Sequence, residues 1–227
     1  MLIGDAGVGK TAIIEELSRL IVNNEVPQKL LNKQIISLDM SSLVAGTKYR
    51  GEFEEKINKI LKEVEENEDI ILFIDEIHTL VGAGGAEGAI DAANIFKPAL
   101  ARGKIKVIGA TTLVEYKKYM ENDKALDRRF QTVLIEEPKK EIVKEIINSL
   151  KPIYESYHKV ILSDSIIDYI IDYSSKYVKS RKEPDRTIDI LDEVCAKVNL
   201  KENKELKEYK EKIKELKQTI KEKKKAI

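Results

Sequence analysis

The chain has 227 residues, of which 42% are hydrophobic and 35% are charged, so it is long enough to bury a sizeable core. Its 40 basic and 40 acidic side chains cancel, which argues against a general nucleic-acid-binding or membrane-binding protein. The single cysteine excludes an internal disulfide and fits a reducing compartment. No apolar run reaches the roughly 18 residues that a membrane-spanning helix needs.

Strands and helices alternate through the first 138 residues. Short apolar runs predict strands at 35–40, 70–76, 105–112 and 132–138, and amphipathic spacing predicts helices at 11–22 and 51–67. The strand at 35–40 is predicted to be buried. Since the strands are apolar on both faces, they are typical of a parallel sheet that is covered by helices on both sides. We therefore predict an α/β domain over residues 1–138.

From Pro138 onward the apolar spacing becomes helical, with predicted helices at 139–150, 163–178 and 184–198. Ser163 or Asp164 is expected to cap the second of these helices, and Pro184 to begin the third. Pro152 is expected to split or kink the first helical stretch, because proline removes a helical hydrogen bond. Residues 139–200 are therefore predicted to form a small all-helical domain.

The last 27 positions, 201–227, are rich in lysine and glutamate. Apolar side chains recur there at steps of three and four residues, at Leu206, Tyr209, Ile213, Leu216 and Ile220. This heptad seam predicts the start of a coiled coil, which needs a partner helix to bury its apolar side. A single solvated, charged helix is the alternative.

The stretch "GDAGVGKT" matches the G-x-x-x-x-G-K-[ST] pattern of a phosphate-binding loop, and only Leu2 and Ile3 of the preceding strand stand before it. Glycines in such a loop let the backbone curl until its N–H groups point at phosphate. Lys10 is predicted to reach the β- and γ-phosphates of ATP, and Thr11 to hold Mg²⁺. The predicted nucleotide contacts are Gly4, Asp5, Ala6, Gly7, Val8, Gly9, Lys10 and Thr11.

The run "ILFIDE" places two acids at the end of a predicted strand, where an open α/β sheet binds its ligands. Asp75 is predicted to bind Mg²⁺, and Glu76 to polarise an attacking water as a general base. The alternative is that two acids simply end a strand in solvent. A phosphate-binding loop in the same sheet favours the catalytic interpretation.

Three further polar residues could take part in the chemistry. Thr112 ends the strand at 105–112, where it could touch the γ-phosphate or its water, or could be an ordinary turn residue. An arginine that acts across a subunit boundary stabilises transition-state charge, which is the functional interpretation of Arg128 and Arg129. Without further context, two ordinary surface arginines are favoured. His78 and His158 lack a cluster of acids or cysteines at ligand spacing, so both are interpreted as structural.

Three long stretches carry a resemblance that covers nearly the whole chain. They are "LVAGTKYRGEFEEK", "ILFIDEIHTLVGAGGAEGAIDAANIFKPALARG" and "IGATTLVEYKKYMENDKALDRRFQ". They resemble the first ATPase module of the Clp family of AAA+ protein unfoldases. The segments "GTKYRGEFE" and "GAGGAEGAIDAANI" resemble the ClpC type more than the ClpB disaggregase. The resemblance implies that the front of the first strand and the partner of the coiled coil lie outside this sequence.

The resemblance also implies a role for each matching residue. Lys10 and Thr11 match the Walker A pair, Asp75 and Glu76 the Walker B pair, Thr112 the sensor-1 position, and Arg128 and Arg129 the arginine fingers. "GTKYRG" matches the first pore loop, in which Tyr49, flanked by Lys48 and Arg50, would grip substrate. Residues 81–89 match the second pore loop. Arg186, where the family usually has lysine, would face the nucleotide, and residues 201–227 match the first helix of a coiled-coil middle domain.

A protein of this kind would form a homo-hexamer, bind ATP and Mg²⁺, and thread unfolded or tagged proteins through its central channel. The resemblance further implies adaptor proteins and a ClpP-type peptidase as partners, with no nucleic acid and no membrane. It implies a location in the bacterial cytoplasm or in an organelle of bacterial origin. The alternatives are a catalytically weak ring-forming or adaptor-binding scaffold, a ClpB-type disaggregase, or an AAA+ remodeller of nucleic acid, which would need a basic channel face.

Overall fold

The computed structural model describes residues 1–46, 50–82, 92–201 and 212–214. The chain divides into two compact units, Met1–Glu137 and Pro138–Ile227, which we call the sheet unit and the helical unit. Among the described residues, no helix is both long and apolar enough to cross a membrane.

The sheet unit is built on five strands. They are β1 (Leu2–Ile3), β2 (Gln34–Ser37), β3 (Ile70–Ile74), β4 (Lys106–Thr111) and β5 (Val133–Leu134). Every pairing is parallel, and the strand order is β2-β3-β4-β1-β5. The predicted parallel sheet is confirmed. Strand β3, which lies between β2 and β4, is buried at four of its five positions, as the continuous apolar run "IILFI" requires.

Helices connect these strands and cover the sheet. They are α1 (Lys10–Val22), α2 (Met40–Ala45), α3 (Arg50–Glu66), α4 (Thr79–Gly82), α5 (Ala93–Ala101), α6 (Leu113–Glu115) and α7 (Lys124–Asp127). A 3₁₀ turn spans Gln28–Leu30, and a π-helical turn at Tyr116–Met120 continues α6. Phe53 and Ile57 from α3 and Phe96 from α5 are almost fully buried in one core with Leu72 and Ile74 of β3.

The prediction of a buried strand at 35–40 is wrong. The strand ends at Ser37 and lies at one edge of the sheet, so its side chains are mostly exposed and Ile36 is 42% exposed. The next residues turn into α2 because Asp39 caps that helix. Its carboxylate accepts hydrogen bonds from the backbone N–H of Ser41 at 2.9 Å and of Ser42 at 3.1 Å. Apolar content alone does not distinguish an edge strand from a central one.

Gly109 allows β4 to pack closely on the turn that follows β3. A Cβ at this position would lie 2.4 Å from Cδ1 of Ile77, whose side chain is fully buried. We expect Gly109→Ala to lower the free energy of unfolding by about 1–3 kcal/mol, because the core must shift to admit a methyl group. Gly51→Ala in α3 is the matched control, since nothing lies within 4 Å of its Cβ, and it should raise stability by up to about 1 kcal/mol. Urea unfolding that gave both variants the same midpoint would contradict the packing argument.

The helical unit has three helices between residues 140 and 201. They are α8 (Lys140–His158), α9 (Asp164–Tyr177) and a third helix, α10, over residues 185–201. Their buried side chains form one core, with Val143, Ile147, Ile167, Ile170, Ile171, Leu191 and Cys195. The predicted cap of α9 is confirmed at Ser163, whose hydroxyl accepts a hydrogen bond from the N–H of Ile166. His158 is buried at the end of α8, where its Nε2 lies 2.8 Å from Asp192 Oδ1.

The expectation that Pro152 splits the first helical stretch is wrong, because α8 has 19 residues and runs past the proline to His158. Val143 and Ile147 hold the helix in the core before the proline. Two ion pairs join α8 to α9: Lys144 to Asp168 at 2.6 Å, and Lys151 to Asp164 at 3.1 Å. Lys151 directly precedes the proline. Tertiary packing therefore outweighs the hydrogen bond that proline removes.

The predicted coiled-coil seam lies almost entirely outside the described residues. Only 212–214 are described there, as helix, and Ile213 is 51% exposed. The coiled coil of residues 201–227 therefore stays a prediction.

Candidate functional site

The loop between β1 and α1 is shaped by three glycines. A Cβ at Gly4 would lie 2.4 Å from the carbonyl oxygen of Ile135, so no larger residue fits without moving the backbone. Gly7 has a φ of 80° and Gly9 a φ of 90°, a left-handed region that glycine occupies without steric penalty. The first turn of α1 begins at Lys10, directly after this curl. The loop therefore has the conformation by which backbone N–H groups cradle an anion.

Lys10 lies against the phosphate loop itself. Its Nζ donates to the carbonyl oxygen of Gly4 at 3.0 Å and of Asp5 at 2.8 Å. Burial lowers the pKa of Lys10, although the negative charges of Asp75 and Glu115 oppose that shift. The ammonium is thus partly desolvated at the loop, where a phosphate group would gain a strong counter-charge.

Thr11 and Asp75 join the phosphate loop to the end of β3. The Thr11 hydroxyl donates to Asp75 Oδ2 at 2.7 Å. A hydroxyl and a carboxylate are hard oxygen donors of the kind that Mg²⁺ prefers, usually shared with phosphates and water. Among the described residues there is no cluster of three or more His, Cys, Asp or Glu that could hold a metal alone. The pair fits an ion that is bound together with a nucleotide.

Glu76 follows Asp75 in a left-handed backbone conformation. Its φ is 49°, which costs roughly 1–2 kcal/mol for a residue with a Cβ. Its N–H donates to Asp75 Oδ1 at 2.9 Å, and the N–H of Ile77 donates to the carbonyl of Ala110 at 2.9 Å, so the turn is held at both ends. Glu76 is exposed beside Asp75 on a cavity of about 360 Å³. The strained turn therefore presents the Glu76 carboxylate to solvent next to the oxygens of Thr11 and Asp75.

Thr112 caps α6 through a capping box. Its hydroxyl donates to Glu115 Oε2 at 2.7 Å, and the N–H of Glu115 donates back to the hydroxyl at 3.2 Å. Burial acts to raise the pKa of Glu115. The hydrogen bonds from Thr112 and the charges of His78 and Lys10 outweigh burial, so the pKa of Glu115 is lowered. Glu115 was not among the predicted site residues, although T-x-x-E after a strand is a sequence pattern that indicates a capping box.

His78 joins the same group of side chains. Its Nδ1 lies 3.0 Å from Thr111 Oγ1 and 3.4 Å from Glu115 Oε2, and its ring stacks on Tyr119. These contacts tie the segment after β3 to the end of β4. They agree with the structural interpretation of His78 and place it next to Thr112.

The remaining predicted site residues are the two arginines after α7, Arg186 and the residues of the two pore-loop segments. Arg128 and Arg129 follow α7, and both are exposed. Arg186 lies in the helical unit, where its guanidinium bonds Glu183 Oε1 at 3.0 and 2.7 Å and the carbonyls of Val178 and Arg181. Lys48, Tyr49, the side chain of Arg50 and residues 83–91 lie outside the description. Their roles stay predictions.

Residues 1–137 match the family described as "ATPase family associated with various cellular activities (AAA)". The chain belongs to the AAA ATPase family. Residues 139–227 match the AAA lid domain, so the helical unit corresponds to the lid of an AAA module. The assignment of the phosphate loop and the two acids after β3 to the Walker A and Walker B segments stays a prediction.

Similar proteins place the chain in the Clp group of AAA ATPases. The chaperone protein ClpB of Aquifex aeolicus (strain VF5) is 57% identical over 201 residues, which is 88% of this chain and 20% of that protein. The ATP-binding subunit ClpC of a Clp protease from Staphylococcus aureus (strain USA300) is 55% identical over 88% of this chain and 25% of its own length. The Clp-family resemblance is confirmed. Identities of 57% and 55% do not separate the ClpC type from the ClpB type.

Solved structures agree with the fold. The Saccharomyces cerevisiae Hsp104-ADP complex superposes with a TM-score of 0.81 at 44% identity, covering 89% of this chain and 34% of that one. An extended conformation of the S. cerevisiae Hsp104:casein complex gives a TM-score of 0.79 at 44% identity, covering 88% and 34%. This chain spans about a fifth of the length of the ClpB relative and about a quarter of the length of the ClpC relative.

Proposed function

We propose that this chain is the ATP-hydrolysing module of a Clp-type AAA+ unfoldase. The observation that carries the proposal is the 2.7 Å hydrogen bond from Thr11 to Asp75, which unites the phosphate loop with the acids after β3. A fold alone does not specify a reaction, but this pairing of a loop hydroxyl and a strand-end carboxylate is what a nucleotide–Mg²⁺ complex requires.

The site residues divide the work of phosphoryl transfer. Lys10 would exchange its bonds to the loop carbonyls for the β- and γ-phosphates of ATP. Thr11 and Asp75 would hold Mg²⁺, which when bound neutralises charge on the phosphates. Glu76 would accept a proton from the attacking water, and Thr112 would bind the γ-phosphate or that water by its hydroxyl.

The two arginines fit a second, intermolecular role. Arg128 and Arg129 are exposed and pair with no group of the phosphate loop in the described part of the chain. In a homo-hexamer, each would reach the ATP of the adjacent subunit and stabilise the charge of its transition state. Such a site is complete only between two copies of the chain.

The proposed work is the threading of unfolded or tagged proteins through the ring. Tyr49, between Lys48 and Arg50, would grip the substrate, because an aromatic side chain contacts a polypeptide with little dependence on its sequence. One relative is described as a subunit of a Clp protease, which supports handover to a ClpP-type peptidase and recruitment by adaptors. The bacterial relatives support a bacterial cytoplasmic or organellar location. The 57% identity to a ClpB chaperone keeps a disaggregase as the second candidate.

ATP turnover and substrate unfolding by the purified chain test this function. Turnover per subunit should rise with protein concentration, because the arginines act between copies. Tyr49→Ala should keep that turnover and lose most unfolding of a tagged fluorescent protein, whereas Tyr157→Ala, an exposed tyrosine of α8, should keep both. Bound nucleotide without turnover at any concentration would favour a scaffold. Unchanged unfolding by Tyr49→Ala would contradict the pore-loop assignment.

A further inference from the structure

The helix that precedes the two arginines is too short to hold itself in place. α7 has four residues, Lys124–Asp127, and a single helical turn is unstable in isolation. Arg128 and Arg129 follow it directly. An arginine that stabilises a transition state must be placed within hydrogen-bond distance of the developing charge. The contacts that fix α7 therefore decide where these guanidinium groups can reach.

The start of α7 is anchored to the body of the sheet unit. Asp123 Oδ1 accepts the N–H groups of Ala125 at 3.2 Å and Leu126 at 3.3 Å, and its Oδ2 lies 2.6 Å from Lys97 Nζ on α5. The side chain of Leu126 is fully buried in the core. These contacts fix the start of α7, and the carboxylate of Asp127, the last residue before the arginines, has a different partner.

That partner is Tyr116. Its hydroxyl donates to Asp127 Oδ1 at 2.5 Å, a short bond to a charged acceptor. This bond, with burial and the charge of Asp127, raises the pKa of Tyr116 to about 12, so the phenol keeps its proton at neutral pH. The N–H of Tyr116 also donates to the carbonyl of Thr112 at 2.9 Å. Tyr116 thus stands one turn after Thr112 and reaches across to the residue before Arg128.

We propose that Tyr116 is a positioning residue for the arginines: its hydroxyl, bonded to Asp127, fixes the end of α7 and so aims Arg128 and Arg129 at the neighbouring subunit's nucleotide. This inference rests on the proposed function. Phe130 packs on the core directly after the pair, so the arginines are held on both sides. The same bond links the helix that Thr112 caps, at a subunit's own nucleotide site, to the arginines that would act at the adjacent subunit's site.

Amide hydrogen exchange tests the anchoring without any need for catalysis. In Tyr116→Phe, which loses only the hydroxyl, the amides of 126–130 should exchange about tenfold faster, because a charge-assisted bond no longer opposes local opening. Amides of α1 should not change. Asp127→Asn keeps an acceptor and should protect the segment better than Asp127→Ala. Tyr173→Phe, on α9, is the control for the loss of a hydroxyl. Unchanged exchange at 126–130 in Tyr116→Phe would overturn the proposal.

Mixed assemblies test whether the hydroxyl acts on the neighbour's site. Tyr116→Phe alone should lower kcat by about tenfold with little change in KM. This loss is smaller than that expected from removing an arginine finger, because the arginines remain but are held less firmly. Lys10→Ala subunits lack a working site but carry intact arginines. Adding them should restore turnover by Tyr116→Phe subunits, whereas adding Arg128→Ala/Arg129→Ala subunits should not. A defect that no partner rescues would place the effect in the subunit's own site and overturn the proposal.

The two measurements separate this inference from the proposed function. If wild-type chain shows no turnover, the proposed function fails, and the exchange of residues 126–130 alone decides whether Tyr116 anchors α7. If wild-type turnover is normal and Tyr116→Phe matches it in kcat, the proposed function stands and this inference fails.

Discussion

Replacing Glu76 with glutamine is expected to stop ATP turnover while nucleotide stays bound. The amide has the same shape as the carboxylate but cannot accept a proton from water, and general-base catalysis contributes about 10²–10⁴-fold. The backbone at Glu76 already has a φ of 49°, and glutamine takes the same conformation with the same strain, so the turn between Asp75 and Ile77 should persist. The loss should therefore appear in kcat and not in folding.

Phosphate release and titration with a fluorescent ATP analogue, on the same preparation, measure these two quantities. Glu25→Gln, an exposed acid after α1, is the matched control and should behave as wild type. Loss of binding together with turnover would assign Glu76 to nucleotide binding instead. Turnover within a few-fold of wild type would mean that Glu76 is not the base.

Removing Arg128 and Arg129 together is expected to lower turnover by about 10³-fold or more, the usual contribution of an arginine finger. Both side chains are exposed, so the free energy of unfolding should change little. The single variants Arg128→Ala and Arg129→Ala should show which of the two carries most of the effect. Arg102→Ala is the control, because it removes an exposed arginine from the same unit.

The decisive readout for the arginines is rescue between subunits. Arg128→Ala/Arg129→Ala subunits retain Lys10 and Glu76, so an intact neighbour should restore their activity. Mixing them with Lys10→Ala subunits should therefore recover turnover that neither variant has alone. Full activity of the double variant by itself would show that both are ordinary surface arginines.

Much of the phosphate site could be predicted from sequence because its chemistry is local. The glycines, Lys10 and Thr11 lie within eight consecutive residues, and the loop needs them at that spacing to curl around an anion. The acids at 75 and 76 follow the most apolar run in the chain, and in a parallel sheet that end of a strand is where ligands bind. Residues that are close along the chain could therefore be assigned to one loop from the sequence.

Contacts between distant segments were missed for the converse reason. Tyr116 and Asp127 carry no motif, and only the packing of the π-helical turn against α7 brings them to 2.5 Å. His78 shows no ligand spacing in sequence, yet the pairing of β3 with β4 sets it beside Thr111 and Glu115. The guanidinium of Arg186 makes four hydrogen bonds to Glu183, Val178 and Arg181, contacts that no sequence motif indicates, and its role toward the nucleotide stays a prediction.

Periodicity and short-range motifs were enough to predict an alternating α/β domain followed by helices, the glycine loop before α1, and the two acids that follow β3. Contacts between segments set three further features: β2 is an exposed edge, α8 continues through Pro152, and α7 is fixed at both ends. These outcomes depend on which segments meet in space, and the free energy of such contacts outweighs the local preference of any one residue.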